Sequence, residues 1–249
     1  MPAFRFGLIG YPLEHSASAS YFEKKFAAVG LENYSYQMFP LGRVEDVTEL
    51  IARIPDLKGF NVTIPYKEKI IPFLGTIHPV ASAIGAVNTV LVRSSGKEKL
   101  LSGYNTDADG FRNSLPAELL YSKALILGTG GSAKAVEYTL NKLGMEVLFV
   151  SRTSSNRKTI RYSEITKKLM KHFTFIVNCN PAGMYPDIAG MPPFPVQWIG
   201  PGHFVYDLIY NPEETLLLRL ARKAGAKTQN GLRMFEAQAE LSFRIWTER

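Results

Sequence analysis

Two short stretches carry residues suited to moving a proton. NVTIPYK (61–67) is a strand-like run that stops at Pro65 and delivers Lys67 two residues later. GYNTDADGF (103–111) sets Asn105, Thr106 and Asp107 at the end of another strand. Ligands in open α/β sheets gather at the carboxyl ends of strands, so both positions suit a site. A lysine and an aspartate brought together there could pass a proton to or from an oxygen, the ammonium also stabilising negative charge on that oxygen. Taken singly, Lys67 reads as a solvated cation and Asp107 as a turn residue, and the rest of the chain must decide.

GTGGSA, Gly128 to Ala133, follows the apolar strand KALILG and precedes a helix. It fits G-x-G-x-x-A: Gly128 makes the tight turn, Gly130 admits a pyrophosphate close to the backbone, and Ala133 lets helix meet strand. The helix N-terminus would offer amide donors and positive dipole to the phosphates. An ordinary glycine-rich turn is the alternative, disfavoured by the second strand at the right distance. That strand, EVLFV, ends in Ser151, Arg152 and Thr153 with Arg157 and Lys158 shortly after. No acid stands where a ribose 2′-hydroxyl would be held. Hydroxyls and guanidinium groups suit the 2′-phosphate of NADP instead. A hydride carrier in this half gives the proton groups of the other half a reaction to serve.

The first half also holds an anion cradle. GYPLEHSASASYF (10–22) places Ser16 and Ser18 in a loop opening a helix, where hydroxyls and free amides suit a carboxylate. Either serine could equally be an N-cap. His15, beside them, reads as structural. GAVNTV (85–90) puts Asn88 and Thr89 at a strand entry.

The elements that must position these residues alternate strand and helix, the sequence form of βαβ units. Strands are expected at 5–10, 34–40 and 59–64, helices at 18–30 and 44–54, and a short helical piece at YKEKIIPFL (66–74). A strand pair follows at 86–94 and 99–105 around SGKE. The pattern restarts with strands at 123–128, 146–150, 173–178 and 203–210, and a helix from the glycines to about Leu143. Asn211 and Pro212 stand as N-cap and first residue of a helix with Glu213 and Glu214 in its first turn, and a last helix runs from near Gly231. Two α/β halves joined around 106–122 result.

Length and composition agree: 249 residues can form one large domain or two of ordinary size, and 46% hydrophobic content suffices for a sizeable core. The single cysteine, Cys179, excludes an intrachain disulfide and a multi-cysteine zinc site, and no metal site is expected. Neither a leader-like N-terminus nor a membrane-length apolar run is seen, so a soluble cytoplasmic chain without membrane partners is expected. Net charge is +7, and seven of the basic residues fall between Ser151 and Lys171 against Glu164 alone. A solvated helix face or an anionic ligand would account for them.

Taken together, GYPLEHSAS, NVTIPYK, GAVNT, GYNTDADG, GTGGSA, SRT, YDLIYNP and GLRMFEAQA resemble the shikimate dehydrogenase family across essentially the whole chain. The resemblance implies an N-terminal α/β substrate domain (1–106, joined by a closing helix, 232–249). It also implies a C-terminal Rossmann-like, doubly wound NADP-binding domain (107–231), with the active site in the cleft between. It implies reversible NADPH-dependent reduction of 3-dehydroshikimate to shikimate in aromatic amino acid biosynthesis, by a monomer or homodimer. Lys67 and Asp107 would be the catalytic pair, with Ser16 and Ser18 on the substrate carboxylate. Thr63, Asn88, Tyr210 and Gln238 would line the remaining substrate site. Gly128, Gly130, Gly131, Ser132 and Ala133 would hold the pyrophosphate; Ser151, Arg152, Thr153 and Arg157 the adenosine phosphate; Leu208 and Gly231 would lie near the nicotinamide.

The chain departs from the family pattern at Tyr11, Ala19, Pro79, Ser151 and Asn156, positions that bear on cofactor preference rather than on Lys67 and Asp107. A quinate/shikimate dehydrogenase with broader cofactor use is the near alternative. A catalytically idle ligand-binding relative is another, disfavoured by the intact pair. Nucleic-acid binding would rest on the basic segment alone, without aromatic stacking or a reading motif, and is not expected.

Overall fold

Apolar runs and amphipathic stretches alternate into two six-stranded sheets in the computed structural model, which describes residues 4–14, 16–95, 98–117, 121–153 and 158–248. The chain divides into two units, Met1–Thr106 with Ala239–Arg249, and Asp107–Gln238.

In the first unit β1 (Phe4–Gly10), α1 (Ser18–Ala28), β2 (Tyr34–Pro40), α2 (Val47–Arg53) and β3 (Leu57–Val62) form two βαβ crossovers. β1 pairs in parallel with both β2 and β3. β4 (Thr76–Ile77), α3 (Pro79–Ile84), β5 (Thr89–Ser95) and β6 (Glu98–Tyr104) follow. β5 runs antiparallel to β3 and β6, which makes this sheet mixed, in the order β2-β1-β3-β5-β6-β4. From Phe6 to Gly10, β1 is buried at every residue, as a central strand covered on both faces must be.

The second unit contains α4 (Asp107–Ser114), β7 (Lys123–Leu127), α5 (Gly131–Lys142), β8 (Glu146–Ser151), β9 (Thr159–Arg161), α6 (Lys167–His172), β10 (Phe175–Asn178), β11 (Phe204–Asp207), α7 (Leu216–Lys223) and β12 (Lys227–Gln229). Its sheet, β12-β11-β10-β7-β8-β9, is parallel throughout. Renumbered from β7, that is the doubly wound order 3-2-1-4-5-6, whose reversal between β7 and β10 opens a crevice at their carboxyl ends. The last helix, α8 (Leu232–Thr247), gives its residues through Gln238 to the second unit and the rest to the first, whereas the sequence assigns all of it to the first.

One local expectation is narrowed and two are corrected. The short helical piece expected at YKEKIIPFL is a series of turns and one 3₁₀ turn at Ile71–Phe73, without an α-helix. Pro72 lacks the N–H that an α-helix would need there, and neighbouring Ile70 and Ile71 are poor helix formers. The N-cap of α7 is Thr215, whose hydroxyl accepts the Leu218 N–H, so Asn211 to Glu214 precede the helix. Asp107 lies in the first turn of α4 and not in the turn after a strand, where an acid suits the positive end of the helix dipole.

Candidate active site

At the carboxyl end of β3 the chain is tightly held. Thr63 donates its N–H to Ile9 O and accepts from Tyr66 N–H, 2.9 and 2.8 Å. Tyr66 is buried and its hydroxyl donates to Leu41 O at 2.6 Å, and burial raises its pKa. Lys67 comes next, half-buried, with its carbonyl accepting from Val87 N–H at 2.7 Å. The lysine is therefore fixed by its backbone to the entry of β5, one residue from Asn88.

Asn88 begins a buried polar network. Its side chain accepts from the Thr106 backbone N–H at 2.7 Å and donates to Thr106 Oγ1 at 2.8 Å. Thr89, Thr106 and Ser242 hydroxyls interlink at 2.7 to 3.2 Å, and the Asn61 amide donates to Ser242 and Thr89 while accepting from Tyr36. Asn105 donates to Ala86 O at 2.9 Å. Every member is nine-tenths or more buried, so the network must be satisfied to be tolerated at all. It clamps the residues immediately before Asp107. Asp107 itself is 4% exposed.

Ser16 and Ser18 stand at the opening of α1. Ser16 Oγ accepts the Ser18 N–H at 3.3 Å and donates to Ser18 Oγ at 3.2 Å, while Ala17 holds the N-cap position of α1, so the two hydroxyls stand together at the helix start. Neither serine is the N-cap residue itself, and hydroxyls grouped at a helix start are groups that can hold an anion. His15 falls outside the described residues.

In the second unit, Gly128 has φ +113°, a backbone conformation that favours glycine, and a Cβ there would stand 3.3 Å from Cys179 O across the crevice between β7 and β10. A Cβ at Gly130 would meet nothing within 4 Å, which leaves open room over the turn. Gly130 occupies the N-cap position of α5, Gly131 and Ser132 are half-buried, and Ala133 is buried in the hydrophobic core beside β7. Open space above a helix N-terminus is what a pyrophosphate requires, and the residues fit it. At the end of β8, Ser151 Oγ bridges the Thr153 N–H and carbonyl, shaping a tight turn that leaves Arg152 and Thr153 exposed. Arg157 lies outside the described residues.

The end of β11 completes this side. A side chain on Gly231 would collide with the backbone of Leu208, and Gly231 N–H donates to Ile209 O at 3.1 Å, so the two residues expected near one ligand ring are in contact. Tyr210 stacks on Phe235 with centroids 4.6 Å apart. Gln238, one turn further along α8, donates to Phe235 O at 3.0 Å.

Asp207, at the carboxyl end of β11, is a buried acid that the sequence does not single out. Fully buried, its carboxylate accepts from Thr215 Oγ1 (2.7 Å), Asn178 Nδ2 (2.9 Å) and Ile209 N–H (3.1 Å). It ties the ends of β10 and β11 to the start of α7. Burial outweighs these three donors and pushes its carboxyl up to about 6.

A glycine turn at the switch point of a parallel doubly wound sheet, with a cation at the end of the second strand, defines a dinucleotide-binding α/β protein, here with a separate α/β unit carrying lysine, serines and a polar network. Residues 8–90 match the family model of the shikimate dehydrogenase substrate binding domain. The NADP(+) shikimate dehydrogenase of Carboxydothermus hydrogenoformans is 38% identical, over 97% of this chain and 90% of that protein. That of Desulforamulus reducens is 35% identical, over 97% and 89%. Among solved structures, shikimate dehydrogenase 1 of Peptoclostridium difficile is similar with a TM-score of 0.85 and 37% identity, covering 98% of this chain and 92% of that one. The Thermus thermophilus shikimate 5-dehydrogenase in complex with NADP(H) and shikimate gives 0.85 and 32%, covering 99% and 94%. The chain belongs to the shikimate dehydrogenase family.

Proposed function

We propose that this chain catalyses the reversible NADPH-dependent reduction of 3-dehydroshikimate to shikimate, a step of aromatic amino acid biosynthesis. The observation that carries the reading is the 35 to 38% identity to NADP(+) shikimate dehydrogenases over 97% of the chain, with Lys67, Asp107 and the Gly128 turn all present.

When bound, NADPH supplies the hydride. This chain's residues do the rest. Lys67 faces the substrate oxygen, stabilises the negative charge that grows there and, with Asp107, moves its proton; the same pair receives the proton when shikimate is oxidised. Its backbone bond to Val87 and the clamp of Asn88 on Thr106 support this role by holding the segments that carry both groups. Ser16 and Ser18 hold the substrate carboxylate, with Thr63, Tyr210 and Gln238 lining the remainder. Asn88 lines this site as well, and its side-chain bonds with Thr106 hold the segment that leads to Asp107. Gly128, Gly130, Gly131, Ser132 and Ala133 seat the pyrophosphate, Ser151, Arg152, Thr153 and Arg157 the 2′-phosphate, and Leu208 and Gly231 the nicotinamide side.

The test offers shikimate or quinate with NADP+ or NAD+ and follows reduced nicotinamide. Shikimate with NADP+ is expected to be turned over fastest, and Lys67→Ala to lose at least about a hundredfold in kcat, the scale of one general acid–base group. No reduced cofactor with any pair sinks the enzyme reading; full activity of Lys67→Ala sinks the role of Lys67. Preference for quinate with NAD+ would instead favour kinship with the quinate dehydrogenase of Corynebacterium glutamicum in complex with NAD, a structure similar at 27% identity and TM-score 0.84.

A further inference from the structure

We propose that Thr139 and Gly110 are positioning residues for the reaction: they fix helix α4, and with it Asp107, against the cofactor helix α5 on one side and helix α8 on the other. The inference rests on the assignment of Asp107 as the proton partner of Lys67.

α4 has eight residues, too few to hold its own place or even its own conformation, so its contacts decide where Asp107 stands. One contact is a hydrogen bond. Thr139 Oγ1 donates to the carbonyl of Ala108, the residue after Asp107, at 3.0 Å. Thr139 is 4% exposed and Ala108 3%, so no water competes for the bond. A threonine within a helix can turn its hydroxyl back to its own preceding turn. This one reaches instead to the neighbouring helix. It sits on α5, the helix whose N-terminal glycines make the cofactor turn, and so the first turn of α4 is tied to the element that the cofactor engages.

The second contact is a close approach. A Cβ on Gly110 would stand 2.8 Å from Gln238 Cβ, 3.0 Å from Gln238 N and 3.0 Å from Met234 O. Two of those three atoms are backbone, which has no rotamer to yield, so α4 and α8 meet at a separation that only glycine permits. Asp107 and Gly110 are three residues apart and share a helix face. The contact that seats α4 therefore also sets the spacing between Asp107 and Gln238. At its other end α4 is held by Ser114, whose hydroxyl donates to Phe111 O at 2.7 Å and pairs with Tyr206 Oη at 2.8 Å. A helix pinned at both ends and pressed on one face moves little, which is what a proton-transfer group needs, since a displacement of about 1 Å can cost about a hundredfold in rate.

Thr139→Val keeps the shape and removes the hydroxyl; Thr139→Ser keeps the hydroxyl; Gly110→Ala adds the clashing carbon. Each is measured for kcat and KM with shikimate, for NADP+ binding by fluorescence titration, and for thermal unfolding. Thr139→Val is expected to lose on the order of tenfold in kcat with NADP+ affinity within about twofold of the parent, and Thr139→Ser to recover most of that loss. Gly110→Ala is expected to lose more kcat and also to raise KM, because Gln238 shifts with it. A folded Thr139→Val with the parent's kcat overturns the proposal, as does an equal loss in Thr139→Val and Thr139→Ser, or a loss confined to NADP+ affinity. Asp107→Asn, assayed in parallel, separates the two readings. Full activity there removes the Asp107 assignment itself; an inactive Asp107→Asn beside an unaffected Thr139→Val removes only the positioning claim.

Discussion

Asp207 shows how a single residue can be buried with three donors and still hold its proton more tightly than a solvated carboxyl does. Its carboxyl, ordinarily near 3.8, is pushed up to about 6 because loss of solvent exceeds the help of Thr215, Ile209 and Asn178. A folded value above the unfolded one means that the folded chain holds the proton more tightly, so this contribution to stability is full below about pH 4 and is lost as pH rises through 6. Asp207→Asn has nearly the same shape and no titration in that range. Urea unfolding of parent and variant at pH 4 and pH 7 is expected to show the parent's advantage shrinking by roughly 2–3 kcal/mol between them. An advantage that stays flat or grows with pH would contradict the assignment. Such a residue is hard to see in the sequence. HFVYDLIY shows an acid inside an apolar run, which marks it as unusual, but its partners lie 29 residues back at Asn178 and 8 residues ahead at Thr215. Lys67 and the glycines of 128–133 stand out in the sequence as candidates because their signals are local: a strand, a breaker, then a functional group. Thr139 gave no such signal, being one hydroxyl on the apolar face of α5.

Elements read well where they are long and apolar, and poorly where a short segment is decided by its contacts. The strands of both sheets and helices α1, α5 and α8 follow their periodicity; β4, β9 and β12, of two or three residues each, do not rise above it. The stretch after Pro65 carries helix-forming Lys and Glu, yet Pro72 and the bonds of Tyr66 and Lys67 to distant backbone make it a series of turns. The closing helix owes its seat on the first sheet to a complementary pair. Trp246 is buried at the place where Gly59 of β3 leaves room for its indole, its Nε1 donates to Val90 O at 3.0 Å, and its ring stacks on Phe6 at 4.9 Å. Trp246→Ala is expected to cost about 3–5 kcal/mol of stability in the first unit, from lost burial and the cavity left behind. A cost under about 1 kcal/mol in chemical denaturation would show that the end of α8 is not anchored by this residue. Gly59→Val should be comparably damaging, because the added side chain takes the indole's space.

At the scale of the whole chain, charge and ligand linkage concentrate in one unit. The basic run after β8 is partly neutralised within the second unit, Arg161 with Glu164 at 3.1 Å and Lys158 with Glu137 at 3.7 Å, while Lys167, Lys168 and Lys171 of α6 are exposed. Exposed pairs of this kind add little to stability. Of the described basic side chains in this segment, Arg152, exposed at the turn that Ser151 shapes, is the one proposed above for the 2′-phosphate. Stabilisation by NADP+ should therefore act through the second unit and depend on that guanidinium. NADP+ at a hundred times its Kd is expected to raise the unfolding free energy by about 2.7 kcal/mol. Arg152→Ala removes a charge-assisted contact, so NADP+ should bind it on the order of tenfold more weakly and, at the same concentration, add only about 1.4 kcal/mol. NAD+ lacks the phosphate and should stabilise parent and variant alike, and raising the salt should narrow the gap between the two cofactors in the parent alone. Calorimetry with each cofactor, on both chains, at low and high salt, measures all of these. Equal weakening of NAD+ and NADP+ in Arg152→Ala would mean that the arginine supports the fold of the turn and does not recognise the phosphate, and that the choice of cofactor is made elsewhere.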